Sequence, residues 1–287
     1  METWVNLNGT LLNGKQVHLA LGNRAFRFGD SLFETIRIRN GKMLFFQDHW
    51  LRLQKGIKAL QFDLPFNFTA ENLHKEIQLL LSSNKFEAGG RLRLTLFRNG
   101  SGGYIPSDNT FSYFIEADTL PDNVYNINQK GLTIDLYAGI KKQQDFLANI
   151  KSGNSMVYVL AGVHCKKNEL DDCIIQNSKG TLIESTNASV FAVKNGVLYT
   201  PLVSDGCVDG IMRKVIMRVA ALNRIAVYEI QLMQSVLLSA DELFLTNTIQ
   251  GIKWVVAYKN KRYFNTTAKF FTEKLNQYIE ANPDLNQ

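Results

Sequence analysis

Asn-Gly pairs stand at 8–9, 13–14, 40–41 and 195–196, each between runs rich in apolar residues. Asparagine and glycine readily take the left-handed backbone that a tight hairpin needs at its two central positions, so each pair predicts a turn between antiparallel strands. WVNLNGTLLNG and IRIRNGKMLFF are read this way near the start of the chain, and SVFAVKNGVLYTP in its second half. GGRLRLTLFRNG alternates apolar with polar residues, the period of a strand with one buried face, and TFSYFIEAD reads as a further strand.

Helical spacing appears between these strands. DHWLRLQKGIKALQF places Leu53, Ile57 and Leu60 on one face, and TAENLHKEIQLLLSSNK does the same with Leu73, Ile77, Leu80 and Leu81 behind a capping Thr69. The polar, turn-rich stretch DTLPDNVYNINQKG predicts an interdomain connection over 119–130, leaving a smaller domain over 1–118 and a larger one over 131–287. In the larger part LTIDLYAG, CIIQN, TLIES and VYEIQLM read as strands. DGIMRKVIMRVAALN and the closing KFFTEKLNQYIEAN read as helices, and SVLLSADELFLTNT as a short helix leading into a strand. The pattern is mixed α+β in two domains.

Composition narrows the function. With 287 residues, 45% apolar and 20% charged, the chain has the make-up of a soluble globular protein with a sizeable core. No basic start leads into an apolar run, and no stretch reaches the ~20 apolar residues of a membrane span. Cys165, Cys173 and Cys207, odd in number and spread out, fit free thiols in a reducing compartment, so a cytoplasmic location is expected. The four histidines form no ligand-like cluster with them, and no metal site is expected. The net charge of +6 comes from dispersed residues; Lys141-Lys142 and Lys166-Lys167 read as solvated surface, which argues against a nucleic-acid partner.

The segment FLANIKSGNSMVYVLAG poses a chemical question. Lys151 opens what reads as a largely apolar helix, followed by the small residues Ser152, Gly153, Asn154 and Ser155. Most lysines are surface residues, but small neighbours leave room for a bound molecule. An amine taken out of water has its neutral, nucleophilic form favoured, which suits Schiff-base chemistry.

FRFGDSLFETIR (26–37), HWLRL (49–53), NIKSGN (149–154), GTLIESTNASVFAVKNGVLYTP (180–201), GCVDGIMRKVI (206–216) and DELFLTNT (241–248), in this order and spacing, resemble the class IV aminotransferase family across nearly the whole chain. The resemblance implies a two-domain fold type IV enzyme, D-amino acid aminotransferase-like, with pyridoxal 5'-phosphate as cofactor and a homodimeric assembly. It implies that Lys151 holds the cofactor covalently and shuttles a proton, and that Glu184 pairs with the cofactor's ring nitrogen. Arg52, the helix-opening turn Gly210, Ile211 and Met212, and Thr248 would bind its phosphate, with Thr246 the alternative to Thr248. Thr186 and Asn187 would touch the cofactor, Arg213 would be structural or part of the pocket wall, and Glu34 would orient groups near the pocket.

The family contains branched-chain and D-amino acid aminotransferases and aminodeoxychorismate lyases. The stretch LFRNGSGGY resembles a lyase loop, Ser155 stands where branched-chain enzymes carry a tyrosine, and no Arg-x-His pair of the D-amino acid type follows the central strand. These features lead to the expectation of a lyase forming 4-aminobenzoate and pyruvate from 4-amino-4-deoxychorismate, with an amino acid aminotransferase as the alternative. Arg98 is the candidate partner for the substrate carboxylate, with Arg27 second.

Overall fold

A computed structural model describes residues 3–86 and 88–282. The chain forms two compact units. The first runs up to Val124 and takes in Ile150–Asn154; the second holds Tyr125–Asn149 and Ser155–Asn282.

The first unit contains β1 (Trp4–Leu7), β2 (Thr10–Asn13), α1 (Arg24–Phe28), β3 (Ser31–Arg39), β4 (Lys42–Met43), α2 (Phe46–Ala59), α3 (Ala70–Ser83), β5 (Gly89–Arg98) and β6 (Phe111–Leu120). Its six strands form one antiparallel sheet in the order β2-β1-β6-β5-β3-β4. One face is covered by α2 and α3, whose buried stripes (Trp50, Leu53 and Ile57; Leu73, Ile77, Leu80 and Leu81) share a core with Leu32, Ile36, Leu92, Leu94 and Ile115 of the strands. Thr69 caps α3 by accepting from the Asn72 amide at 3.2 Å.

The Asn-Gly pairs at 8–9 and 40–41 turn hairpins with positive φ at both residues, as does the pair at 195–196. Asn13-Gly14 does not. Asn13 has φ −67° and its side chain accepts from the Lys15 amide, opening a short 3-10 turn while Gly14 donates to the Thr3 carbonyl. An asparagine side chain bonding its own backbone two residues on diverts the chain from the hairpin.

The second unit contains β7 (Leu132–Leu136), α4 (Met156–Lys167), β8 (Asp172–Gln176), β9 (Leu182–Ser185), β10 (Ser189–Lys194), β11 (Val197–Pro201), α5 (Ile211–Leu222), β12 (Val227–Ile230), α6 (Gln234–Ser239), β13 (Glu242–Asn247), β14 (Gly251–Tyr258), β15 (Lys261–Arg262) and α7 (Thr266–Ala281). The strands form a mixed sheet in the order β12-β11-β10-β13-β14-β7-β8-β9, with β15 beside β14. Its central strands are buried on both faces, as the near-continuous apolar runs SVFAV and ELFL require.

Lys151 is not in a helix. The helix α4 starts only at Met156, and 150–154 runs beside β3 of the first unit: Phe33 donates to the Lys151 carbonyl at 3.0 Å, and Gly153 to the Ser31 carbonyl at 2.8 Å. Glycine is required at 153, because a Cβ there would stand 2.2 Å from Ser31 Oγ. Among the described residues no helix is long and apolar enough to cross a membrane.

Candidate active site

In the first unit the antiparallel bridge of Leu32 with Ser152 sets Lys151 opposite Phe33, and directly opposed residues project from the same face. The Lys151 Nζ accordingly lies 4.2 Å from the centre of the Phe33 ring. Arg93, on β5, places its guanidinium carbon 4.0 Å from the centre of the same ring, and its Nε donates to Thr95 Oγ1 at 3.3 Å. Burial lowers the Arg93 pKa, so its guanidinium is partly stripped of water. One half-buried aromatic ring thus carries two cations, and an anion bound beside it would meet both.

On the opposite face of β3 lies Glu34. The alternation Leu32, Glu34, Ile36, Ile38 puts it among core residues, where a carboxylate must be paired. His49 and Arg52, three apart on α2, supply the partners. Arg52 Nε donates to Glu34 Oε1 at 2.8 Å and Nη2 to Oε2 at 2.5 Å, while His49 Nδ1 meets Oε2 at 2.6 Å. Burial alone would raise the Glu34 pKa, but Arg52 and His49 outweigh it and hold the carboxyl at about 2. Burial keeps His49 below its usual value, so the ring is neutral; a carboxylate only accepts, which puts the ring proton on Nδ1. Glu34 is therefore a buried strut that fixes the plane of the Arg52 fork, and its carboxylate is spent within the unit instead of being offered to a substrate.

Arg98 is also committed. Its Nε donates to Asp30, its Nη1 to Asn109 Oδ1 at 2.9 Å and its Nη2 to the Leu60 carbonyl at 2.6 Å, and the group stacks on Phe62. Every guanidinium nitrogen holds the loop that follows β5, the geometry of a structural arginine. Arg27 is exposed on α1 and donates to the Leu21 carbonyl at 3.2 Å.

In the second unit Glu184, 5% exposed at the end of β9, is bound on both oxygens. Lys142 Nζ and the Tyr158 hydroxyl each donate to Oε1 at 2.7 Å, and the Val208 amide donates to Oε2 at 2.9 Å. Lys142 also donates to the Tyr158 oxygen at 2.6 Å and to the Ala148 carbonyl at 2.7 Å. Burial and the Glu184 charge push the Tyr158 pKa up, so its hydroxyl keeps its proton. Lys142 is thus a buried ion-pair partner with a side chain 12% exposed, not the solvated surface residue that its place in a Lys-Lys pair suggested. The pair alternates: Lys141 is exposed and Lys142 forms a bridge with Asn177, so a single strand-like step separates surface from interior.

Gly210 is the N-cap of α5, with no side-chain cap, and the helix begins with the buried Ile211 and Met212. A Cβ at Gly210 would stand 2.5 Å from Ser189 Oγ, so only glycine lets the backbone approach there. Ser189 pairs across the sheet with Thr246, whose Oγ1 is buried without a hydrogen-bond partner. Open amides at a helix start beside an orphaned hydroxyl fit an anion such as a phosphate. Thr248 does not continue this strand: β13 ends at Asn247, whose Oδ1 accepts the Ile249 and Gln250 amides and turns the chain. Thr246 and Thr248 therefore do not share a strand face, and the Thr248 carbonyl accepts the Tyr125 hydroxyl at 2.6 Å. The Thr186 hydroxyl donates to Asp172 at 2.8 Å, and Asn187 accepts from Asn247 at 3.3 Å. Arg213, 3% exposed, donates to Thr200, the Pro201 carbonyl and Glu229, and ties α5 to the sheet.

All three cysteines are free and buried. Ligand atoms of Cys165, Asp172 and Cys173 lie within 4.8 Å of one another, but burial raises both thiol pKa values and Asp172 Oδ1 already accepts from Thr186 and the Cys173 amide. Protonated thiols are poor ligands, and the group packs as core.

Of these residues, the sequence motifs pointed to Lys151, Glu184, Arg52 and Gly210. They missed Phe33, Arg93, His49, Lys142 and Tyr158. The period-2 alternation of β3 was the available signal for the buried Glu34, and the spacing of His49 and Arg52 on one helix face was the signal for its partners.

Comparison with known proteins places this arrangement. The Amino-transferase class IV family pattern matches residues 31–258. A putative branched-chain-amino-acid aminotransferase of Methanocaldococcus jannaschii is 28% identical over 95% of this chain and 94% of its own length. A D-alanine aminotransferase of Staphylococcus epidermidis is 25% identical, with 97% of each chain covered. An aminodeoxychorismate lyase of Vibrio harveyi is 26% identical over 83% of this chain and 86% of its own. The branched-chain aminotransferase of Thermoproteus uzoniensis, solved with norvaline, shares the fold at a TM-score of 0.89 and 20% identity, covering 99% of this chain and 98% of that one. The chain belongs to the class IV aminotransferase family, the pyridoxal-phosphate enzymes of fold type IV.

Proposed function

We propose that the protein is an amino acid aminotransferase that uses pyridoxal 5'-phosphate to pass an amino group to a 2-oxo acid. The observation that carries this reading is Lys151 and Arg93 on one Phe33 ring, an amine and a guanidinium placed for a molecule with both a reacting carbon and a carboxylate. The relatives support transfer over elimination: both aminotransferases match nearly the full chain, whereas the lyase matches less of it. The commitment of Arg98 to its loop also removes the carboxylate partner on which the lyase reading leaned.

When bound, pyridoxal phosphate supplies an electron sink for negative charge developing at the substrate carbon. Lys151 anchors it covalently. Once the substrate's amino group takes that place, the freed amine removes the proton from the substrate carbon and returns it elsewhere, a general-base step worth ~10²–10⁴-fold. Glu184 keeps the cofactor's ring nitrogen protonated. Arg52, Thr246 and the amides at Gly210–Met212 hold the phosphate, with Thr248 and Asn187 at the turn beyond. Arg93 takes the substrate carboxylate. A second copy of the chain would cover the exposed apolar stripe of Met156, Val159 and Val163 on α4, which supports a homodimer.

The test is product analysis. Amino acids of both hands offered with 2-oxoglutarate or pyruvate should yield new amino acid, and 4-amino-4-deoxychorismate should yield no 4-aminobenzoate. Release of 4-aminobenzoate and pyruvate would restore the lyase. Arg93→Gln should raise KM about 10-fold or more, the size of a lost charge-assisted bond, with the cofactor spectrum intact. An unchanged KM would remove Arg93 from substrate binding.

A further inference from the structure

Glu184 offers its two oxygens unequally. A carboxylate has about four acceptor positions, two on each oxygen. Both positions of Oε1 are filled, by Lys142 Nζ and by the Tyr158 hydroxyl, and one position of Oε2 is filled by the Val208 amide. The side chain is 5% exposed, so little water competes for the remaining position. Lys142 is itself fixed, because its ammonium donates to Glu184, Tyr158 and the Ala148 carbonyl. Tyr158 stands between them, accepting from Lys142 and donating to Glu184.

We propose that Lys142 and Tyr158 are positioning residues that lock Glu184 Oε1, so that Oε2 alone is presented to the ring nitrogen of the cofactor. This rests on the assignment of Glu184 to that nitrogen and goes beyond it by naming the oxygen and what aims it. A carboxylate free to rotate would share its negative charge with water and with Val208. A carboxylate pinned on one oxygen concentrates its remaining acceptor position on one donor, and preorganisation of this kind raises selectivity for that donor. The ammonium also keeps Glu184 ionised in a buried setting, where an unpaired carboxylate would otherwise take up a proton.

The readout is cofactor affinity, not turnover. The full-length apoprotein is titrated with pyridoxal 5'-phosphate and with its analogue bearing carbon in place of the ring nitrogen. Both attach to Lys151 and carry the same phosphate, so those contributions cancel in the ratio of their Kd values. The wild-type protein should prefer the natural cofactor roughly 10- to 100-fold, the range for a charge-assisted hydrogen bond. Lys142→Met should collapse that preference to about 3-fold or less, chiefly by weakening the natural cofactor, and Lys142→Arg should keep most of it. Tyr158→Phe, which removes only a hydroxyl, should lower it to an intermediate value and serves if Lys142→Met does not fold. Equal weakening of both compounds in Lys142→Met and Tyr158→Phe would make the cluster merely structural and overturn the proposal, as would an undiminished preference. Absence of any preference in the wild-type protein would instead overturn the assignment of Glu184 to the ring nitrogen.

Discussion

Lys151→Ala is expected to abolish covalent retention of the cofactor, with loss of the visible absorbance of the bound form, and to cut turnover by ~10²–10⁴-fold or more. The fold should survive. The segment is held by backbone bonds, Phe33 to the Lys151 carbonyl and Gly153 to the Ser31 carbonyl, which an alanine keeps. The side chain contributes a cation on a half-buried ring, worth about 0.5–1 kcal/mol at most sites of this exposure. Thermal melts of the apo forms should therefore nearly coincide while absorbance and turnover differ sharply. A variant that keeps both absorbance and activity would show that the cofactor is anchored elsewhere.

Glu34→Gln should be the most destabilising of the substitutions considered, by about 3–5 kcal/mol, because it strands the buried Arg52 without its carboxylate. The same strut sets the acid limit of the protein. The folded-state pKa of Glu34, about 2, lies below the ordinary 4.5, so the unfolded chain binds its proton first as pH falls. The stabilisation, about 3 kcal/mol, is fully present above pH 4.5 and is lost as pH drops from there through 2. His49 acts in the same direction from higher pH: held neutral in the folded state, it favours unfolding once the pH falls below 6.5. Urea unfolding followed from pH 7 to 2 should show a steep fall below 4.5 for the wild-type protein and a flatter one for Glu34→Gln. Parallel curves would mean that the Glu34 carboxylate is not stabilised by its partners. Because Arg52 is aimed by Glu34, the variant should also release cofactor more readily.

The strand and helix pattern was legible wherever one principle acted alone. Thr69, the α3 stripe and the hairpins at Asn8-Gly9, Asn40-Gly41 and Asn195-Gly196 follow from local capping, periodicity and turn chemistry. Asn13-Gly14 failed because a side-chain bond to the Lys15 amide won over the hairpin. Lys151 was recognisable as a residue, but its setting was misread: a stretch with small polar residues and a following helix looked helical, while its pairing with β3, far away in sequence, is visible only in three dimensions. The same holds for Lys142. Its partners Tyr158 and Glu184 are sixteen and forty-two positions away, and a lysine beside another lysine gives no sign of burial. Arg98 shows the converse, since a motif-like position proved to be filled by its own loop. Which amino acid the enzyme takes depends on pocket shape, which motifs do not encode.

The central claim, that Lys151 carries the cofactor, is tested most directly by reducing the holoprotein with borohydride, digesting it and locating the modified lysine by mass. The account predicts the reduced phosphopyridoxyl group on the peptide containing Asn149–Asn154, at Lys151 and at no other lysine. The same mass found instead on Lys142, or on any lysine outside that segment, would contradict it.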